Sequence, residues 1–233
     1  STLFPYTTLF RSPYSREAGT VRHIVRLLGD APGMTLERVP AELHGPGGPA
    51  TQHLIAKRTL DAARLPITFI NIAAYLLDNF INIGHAIREK RTLINPSDRL
   101  MAFVDPRDVA EVAARILLSP NHRHIRQYYH IDNGHDVMRF SDVAALMSEV
   151  LGVRITHDGT GETFVRELGP GYNRKMGNPH AAEYFVLYFE FEHEIETVWR
   201  RTDFAATILG RKPKTLRAWL EEHRAVLMPT ARD

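Results

Sequence analysis

Apolar residues recur along this chain at two different spacings. Short runs rich in β-branched and aromatic residues predict strands, and the nearly continuous apolar run ITFINI is typical of a parallel strand covered on both faces. These runs are Arg22–Leu28, Ile67–Ile72, Leu100–Val104, Tyr128–Ile131 and Val153–His157. Between and after them, apolar residues three and four positions apart predict helices. The predicted helices are Thr51–Arg64, Asn79–Lys90, one beginning at Pro106, Asp142–Leu151, Glu162–Leu168, His180–Arg201 and Thr215–Leu227.

Several of these boundaries carry their own signals. Asp105 precedes Pro106 at a predicted helix start, where a carboxylate accepts from free backbone amides and proline fits the first turn. The buried stripe expected on that helix is Val109, Val112, Ala113, Ile116 and Leu117. Ser141 is expected to cap the next helix, which Gly152 ends. The Gly- and Pro-rich segment Gly29–Pro49 predicts a loop without regular elements.

Strands that alternate with helices of ten or more residues indicate crossover connections and a mostly parallel sheet. The balance becomes mainly helical after residue 150. We therefore predict an α/β fold, the second half of a doubly wound parallel sheet followed by a C-terminal helical lobe. The sheet part is assigned to residues 13–150 and the helical subdomain to residues 151–233.

Composition narrows the class of protein. The net charge of +2 is too small to favour nucleic acid as a partner, and no apolar run is long enough for a membrane span. The absence of cysteine excludes disulfides and thiol catalysis and fits a reducing compartment, so we expect a cytoplasmic protein. The twelve histidines show no ligand spacing with carboxylates, and no metal site is predicted.

Residues 1–12 (STLFPYTTLFRS) resemble a common short-read sequencing adapter translated in frame. We expect this segment to be a non-native scar and the chain to be truncated near Pro13. The strand at 22–28 is then expected to form an exposed sheet edge that favours aggregation.

Five segments in the right order are together similar to the NmrA-like family, a branch of the atypical short-chain dehydrogenase/reductases. They are Gly19–Leu27, Gln52-His53 with Leu65-Pro66-Ile67-Thr68, Tyr75–Asn79, Val104–Ala114 and Gly210–Trp219. The resemblance covers about residues 19–227. It implies an NAD(P)-binding Rossmann domain, here truncated, whose nicotinamide end is closed by the C-terminal lobe.

The Gly-rich phosphate loop that opens such a fold is missing from the sequence as given. The glycines at 45–48 do not replace it, because they follow a loop and lie among prolines. We therefore expect NADPH to bind in the millimolar range or not at all, about 4 kcal/mol more weakly than with the loop restored.

The resemblance also assigns site residues. His53 occupies the position of a residue that reaches the nicotinamide ribose; the alternative is an exposed histidine at a helix start. Tyr75 and Leu76 would line the nicotinamide; the alternative for Tyr75 is that it only packs in the core. Asp78 or Asn79 would bond to loop backbone.

No catalytic residue is assigned. The family's common Arg-Pro is Asn71-Ile72, and no tyrosine has a lysine four residues later, the pair that supplies a proton in conventional reductases. The aromatic stretch at 184–191 is expected to pack the lobe on the sheet, or to roof a flat substrate. Two functions stay open: an NAD(P)H-dependent reductase of quinone-like or small carbonyl substrates, or a non-catalytic NAD(P) sensor that regulates a partner protein.

Overall fold

The computed structural model describes residues 20–45, 48–120, 122–195 and 200–229. The segment 1–12, expected to be a scar, lies outside these ranges. The strands within them are β1 Ile24–Leu28, β2 Ile67–Ile72, β3 Tyr75–Leu76, β4 Thr92–Ile94, β5 Leu100–Val104, β6 Tyr128–Ile131, β7 Val137–Arg139 and β8 Thr156–Asp158. The helices are α1 Pro49–Ala62, α2 Asn79–Asn82, α3 Gly84–Lys90, α4 Pro106–Leu117, α5 Phe140–Leu151, α6 Gly161–Glu167, α7 Gly169–Met176, α8 Ala181–Glu194, α9 Phe204–Leu209, α10 Leu216–Glu222 and α11 Arg224–Leu227.

Three strands form the parallel sheet β1–β2–β6, with Leu28 opposite Asn71 and Asn71 opposite His130. Because parallel strands need crossover connections, α1 links β1 to β2 and several elements link β2 to β6. A second sheet has the order β3–β5–β7, with β7 antiparallel, and β4 pairs with β8 in parallel. The predicted α/β class with mainly parallel strands is confirmed.

The two faces of the β1–β2–β6 sheet pack against different helices. Ile70 and Ile131 point to one face and join a cluster with Val109 and Val112 of α4 and Leu209 of α9. Leu28, Ile67 and Phe69 point to the other face and join a cluster with Leu60 of α1. This alternation is the period of two expected for strand side chains, and covering both faces buries β2 at nearly every position.

The largest apolar cluster includes residues from both sides of position 150. Phe80, Phe103 and Phe140 pack in it with Trp219 and Leu220, and the Phe80 and Trp219 ring centroids are 6.1 Å apart. The C-terminal helices therefore bury their apolar faces against the sheet part of the chain.

Three predicted strands have the observed bounds: β2, β5 and β6. The start of α4 is also as predicted, since Asp105 Oδ1 accepts from the Arg107 backbone N–H at 2.8 Å. Gly152 ends α5 with a positive φ of 74°, the left-handed conformation that glycine adopts at little cost.

Other predicted bounds were wrong. The helix at 79–90 is interrupted at Ile83 (φ −98°, ψ 4°), between Asn82 and Gly84, both of which are poor helix formers. The C-terminal helix is interrupted at His223, and α8 ends at Glu194. The strand predicted at 153–157 begins only at Thr156, where it pairs with β4.

Two side-chain assignments also need correction. Ser141 is the second residue of α5 rather than its cap, and its hydroxyl donates to Asp98 Oδ2 at 2.8 Å. Leu117 is 45% exposed, because it lies about 100° around the helix from the buried Ile116.

The remaining differences are elements that the sequence pattern did not predict. The loop after β1 contains short 3-10 turns at Leu36–Arg38 and Ala41–Leu43. The strands β3, β4 and β7 and the helices α7 and α9 were also missed.

Candidate functional site

The carboxyl ends of β1 and β2 are tied together by a buried amide. Asn71, at the fifth position of β2, is fully buried. Its Oδ1 accepts from the Asp30 backbone N–H and its Nδ2 donates to the Asp30 carbonyl, both at 2.8 Å. The same Nδ2 lies 3.0 Å from His130 Nδ1 on β6. These bonds fix the backbone of Asp30 at the sheet edge where open α/β sheets bind ligands.

The Asp30 carboxyl lies just beyond the end of β1 and is 5% exposed. Among the described residues, its Oδ2 has no hydrogen-bond partner. Burial raises the pKa of Asp30 to about 7, against the opposing attraction of Lys57. Asp30 is therefore a buried acid that is partly protonated at neutral pH.

His53 lies on the other side of Gly29, on the second turn of α1. Its Nε2 would be 3.3 Å from a Cβ atom built on Gly29, so glycine leaves room for the imidazole. Burial, followed by the charge of Arg26, lowers the pKa of His53 to about 4, and the ring is neutral at pH 7. Its Nδ1 is buried and has no hydrogen-bond partner in the part of the chain that the structure describes. The alternative of an exposed helix-start histidine was wrong, while its contact with a ribose stays a prediction.

Helix α8 covers this edge of the sheet. A small pocket of about 10 Å³, enough for one water molecule, separates it from the end of β1 and the first turn of α1. Residues around this strand-edge pocket include Asp30, Met34, Ala50, Tyr188, Phe191 and Glu192. Tyr184 fastens the helix by donating to the Leu43 carbonyl at 2.9 Å. A Cβ on Gly48 would come within 2.6 Å of the Tyr184 hydroxyl, so glycine permits this close approach.

A buried ion pair at Glu192, two turns after Tyr184, also holds α8. Arg99 is 1% exposed, and its Nε lies 2.8 Å from Glu192 Oε2. The guanidinium also donates to Asn95 Oδ1 at 2.6 Å and stacks 3.9 Å from the Phe189 ring centroid. Burial raises the pKa of Glu192, and Arg99 opposes that shift. Burial and the adjacent Glu192 raise the pKa of Tyr188 well above its usual value.

The segment after β2 contains the other predicted site residues. The Tyr75 ring packs against Phe80, Phe140 and Phe103 at centroid distances of 5.1, 5.2 and 6.1 Å. Burial raises the pKa of its hydroxyl. Leu76 pairs with Val104 in the second sheet. A nicotinamide contact by either residue stays a prediction.

Asp78 and Asn79, the last two residues that the resemblance assigns, lie at the start of α2. Asp78 is exposed and makes no side-chain capping bond to α2. Asn79 Oδ1 accepts a long hydrogen bond, 3.5 Å, from Asn82 Nδ2 in the same helix. A bond from either residue to loop backbone stays a prediction.

Two of the motif segments meet at a distance from this pocket. Asp108 in the Val104–Ala114 segment accepts from the Lys214 backbone N–H and from Arg211, both at 2.8 Å. Asp136 accepts from the Leu216 backbone N–H at 2.7 Å. These residues join the C-terminal helices to α4 and contribute to the fold.

Within the described ranges, no group of three or more His, Cys, Asp or Glu side chains is placed to hold a metal ion. No helix in those ranges is long and apolar enough to cross a membrane.

Solved structures with this fold include nicotinamide-nucleotide-binding reductases and a regulator. The Citrobacter sp. triphenylmethane reductase complexed with NADP(H) superimposes with a TM-score of 0.67 at 19% identity, covering 95% of this chain and 74% of that one. The Escherichia coli quinone oxidoreductase QOR2 complexed with NADPH gives 0.66 at 17% identity, covering 91% and 68%. NmrA, a negative transcriptional regulator in complex with NAD, gives 0.60 at 15% identity, covering 92% and 68%. No protein-family model and no curated protein matches the sequence.

The class of protein is therefore defined by its fold: a Rossmann-type α/β chain of the kind found in NmrA and in these reductases. The resemblance drawn from the five motif segments is confirmed at that level.

Sequence reasoning missed Asp30 and Glu192. An acidic residue two positions after the end of a strand is a usable signal for Asp30, since ligands bind beyond the carboxyl ends of strands. Glu192 follows Tyr188 by one helical turn inside an otherwise apolar stretch, which is a weaker signal.

Proposed function

We propose that this chain carries the nicotinamide end of an NAD(P)H-dependent reductase that acts on quinone-like or small carbonyl compounds. The observation that supports this most is the pair of buried, unpartnered polar atoms near the end of β1: Asp30 Oδ2, two residues beyond the strand, and His53 Nδ1, on a ring beside Gly29. Buried polar groups are normally paired, so two orphaned atoms at one ligand-binding edge favour a polar ligand there. The shared fold of the NADPH-dependent quinone oxidoreductase and triphenylmethane reductase supports the same class.

The residues at this edge fit the nicotinamide half of the cofactor. The neutral His53 ring can donate one hydrogen bond to a ribose hydroxyl, and the missing Cβ of Gly29 leaves space beside it. Tyr75, Leu76 and either Asp78 or Asn79 are the further residues that we assign to this end. NADP(H) or NAD(H), when bound, supplies the hydride. The sequence as given contributes no Gly-rich loop for the pyrophosphate, so recognition would rest on the nicotinamide and its ribose.

A calorimetric titration with two nucleotides tests the binding site. NADPH and reduced nicotinamide mononucleotide should bind this chain with similar millimolar affinity, because only the half that they share meets the assigned residues. His53→Ala should weaken both by about fivefold, the equivalent of one hydrogen bond worth about 1 kcal/mol. Gln52→Ala, at the exposed neighbouring position, is the matched control and should bind like the wild type. Failure of the wild type to bind either nucleotide, or an unchanged affinity in His53→Ala, would contradict the assignment.

The alternative function is a redox-sensing regulator that binds NAD(P) without chemistry and controls a partner protein. The absence of a Tyr-x-x-x-Lys pair favours it, and NmrA itself is a negative transcriptional regulator. Oxidation of NADPH at millimolar concentration in the presence of 1,4-benzoquinone separates the two. Turnover above the uncatalysed background supports the reductase, whereas nucleotide binding without turnover supports the sensor.

A further inference from the structure

We propose that Asp30 is the proton donor of this reductase, delivering a proton from its carboxyl group to the substrate oxygen. The inference rests on the proposed function and adds a catalytic residue that neither the motif segments nor the missing Tyr-x-x-x-Lys pair indicated. Asp30 combines a fixed position, an unpartnered oxygen and an adjoining pocket, and each of these is a separate observation.

The position of Asp30 is fixed through its backbone rather than through its carboxyl. Both backbone hydrogen-bonding groups of Asp30 are bonded to the buried Asn71 side chain at 2.8 Å. The carboxyl is therefore held at the strand end while its Oδ2 stays free of partners among the described residues. A side chain used only to stabilise the strand end would have been expected to pair this oxygen, because an unpaired buried group costs about 1–3 kcal/mol.

The pocket beside Asp30 accepts one small polar group. Its volume of about 10 Å³ corresponds to a single water molecule, and therefore to a carbonyl or hydroxyl oxygen. Apolar atoms of Met34, Ala50 and Phe191 form part of its wall. Such a site excludes bulk water from the reacting oxygen, which strengthens a hydrogen bond made inside it.

Burial keeps Asp30 from being a permanent carboxylate, although the positive charge of Lys57 opposes this. The titratable groups on α1 are Lys57, whose Nζ is paired with Asp61 at 2.6 Å, and His53, which is neutral at pH 7. On β6 they are Tyr128 and His130, and on α8 they are Tyr188 and Glu192. The pKa of about 7, raised mainly by burial, means that the acid form is available at neutral pH.

Other candidate donors at this edge are less suited. Tyr188 bonds to Glu192, and the pKa of its hydroxyl is raised well above its usual value, so it releases a proton poorly. The Tyr75 ring is packed among three phenylalanines, and burial likewise raises its pKa. His53, with a pKa of about 4, carries no excess proton at neutral pH.

The proton balance of the step is complete. With a carbonyl substrate, the carbon gains a hydrogen nucleus and two electrons as hydride, the C=O π electrons move onto the oxygen, and the O–H bond of Asp30 breaks as a new O–H bond forms there, leaving an alcohol and the Asp30 carboxylate. With a quinone, the hydride adds to one carbonyl oxygen and the π electrons rearrange to an aromatic ring. The opposite oxygen takes the proton from Asp30, leaving a hydroquinone and the Asp30 carboxylate. Solvent then reprotonates Asp30. The net consumption is one reduced nicotinamide and one proton for each substrate reduced.

A first test needs no nucleotide. Carboxyl carbon NMR of the free protein, labelled at aspartate, should show one resonance with a midpoint near pH 7 that disappears in Asp30→Asn. If every aspartate carboxyl in the wild type titrates below about pH 5, the proton-donor assignment is wrong.

The second test is kinetic and uses NADPH with 1,4-benzoquinone. Asp30→Asn should lower kcat by about 100-fold, the scale of general acid catalysis, while nicotinamide mononucleotide affinity stays within about twofold. The wild-type kcat should fall above about pH 7, and the residual rate of Asp30→Asn should not. Asp30→Glu, which keeps the acid, should recover part of the rate, and Asp203→Asn, an exposed acid outside the pocket, should behave as wild type.

The outcomes separate the two levels of the proposal. Wild-type turnover with an unchanged kcat and pH profile in Asp30→Asn overturns the donor assignment and leaves the reductase standing. A wild type that binds nucleotide without turnover, or binds none, overturns both. If Asp30→Asn does not fold, the wild-type NMR titration and Asp30→Glu still decide the assignment.

Discussion

At the scale of single residues, the edge of the β1–β2–β6 sheet pairs the buried backbone groups of Asp30 and leaves two buried side-chain atoms unpaired. Asn71 is fully buried and uses its amide to hold the Asp30 backbone and to contact His130. Asp30 Oδ2 and His53 Nδ1, in contrast, are buried without partners in the described ranges. Since each orphaned group costs stability, an arrangement that pairs the backbone and leaves the side chains free is typical of a ligand site.

The burial of Asp30 predicts how the free energy of unfolding changes with pH. The pKa of Asp30 is about 7 in the folded chain and 3.8 as its ordinary value, so the folded state holds the proton more tightly. The tighter proton binding by Asp30 stabilises the folded state fully below about pH 4, and this stabilisation is lost as the pH rises through 7. Wild type should therefore lose about 2–4 kcal/mol of unfolding free energy between pH 4 and pH 8 that Asp30→Asn retains.

Urea unfolding of both proteins across this range measures the difference directly. Asp203→Asn is the control and should follow the wild-type curve, because its side chain is exposed. Parallel curves for wild type and Asp30→Asn would show that the buried carboxyl does not titrate near neutral pH.

Local sequence signals place some of these residues but not their environments. The motif around Leu65-Pro66 identified the position of His53 in the predicted helix. The proximity of His53 to Gly29 follows from the crossover between β1 and β2. The burial of Asp30 depends on α8, which lies more than 150 residues later in the chain. No local pattern reports a contact of that kind, so the acid could not be identified from sequence alone.

At the scale of elements, α8 is the part that turns a strand edge into a pocket. It is held by Tyr184 on the Leu43 carbonyl and by the Arg99–Glu192 pair. Both side chains of the ion pair are buried. Removing one of them would leave the other as an unpaired buried charge, and this is the main way in which the pair affects stability. Aromatic side chains of the 184–191 stretch pack against the part of the chain before residue 150: Phe191 lies with Leu43 and Ala50, and Phe189 lies in the largest apolar cluster.

A double-mutant cycle tests this role of the ion pair. Arg99→Met should lower the free energy of unfolding by about 3–5 kcal/mol, because Glu192 is left buried without its partner. The double variant Arg99→Met/Glu192→Leu should recover most of that loss. Chemical denaturation measures all members of the cycle.

A surface pair provides the matched comparison. Arg217 and Glu149 are 2.6 Å apart but 51% and 62% exposed. Arg217→Met should therefore cost less than about 1 kcal/mol. Equal losses at the two pairs, or no recovery in the double variant, would mean that the buried pair does not hold α8 as proposed.

The elements predicted best are those with strong local signals. Strand β2 has a continuous apolar run, and α4 has a capping aspartate followed by proline. The missed strands β3, β4 and β7 are only two or three residues long, and each exists because a distant strand supplies its hydrogen bonds. The break at Ile83 was missed because apolar spacing continues through it, although Asn82 and Gly84 carried the opposing signal.

At the scale of the whole molecule, the residues before and after position 150 are joined by several apolar clusters and by polar contacts to the Gly210–Trp219 segment. Phe80 packs with Trp219, and the Asp108 carboxylate accepts from both Arg211 and the Lys214 backbone. Two of the motif segments thus serve the packing of the C-terminal helices. Their similarity to the family is a signal of fold, whereas the proposed chemistry depends on residues outside those motifs.

The order of the main sheet leaves β1 at an edge of the described strands, next to β2 alone. Leu27 on this strand is 38% exposed. An open strand edge with an exposed apolar side chain favours pairing with another copy, and a charged residue there opposes it.

Sedimentation velocity should therefore show self-association of the chain that rises with concentration and is reduced by Leu27→Lys. Ile55→Lys, on α1 and 47% exposed, adds the same charge away from the edge and should leave association unchanged. A wild type that stays monomeric at all concentrations, or equal effects of the two lysines, would exclude β1 as the associating edge.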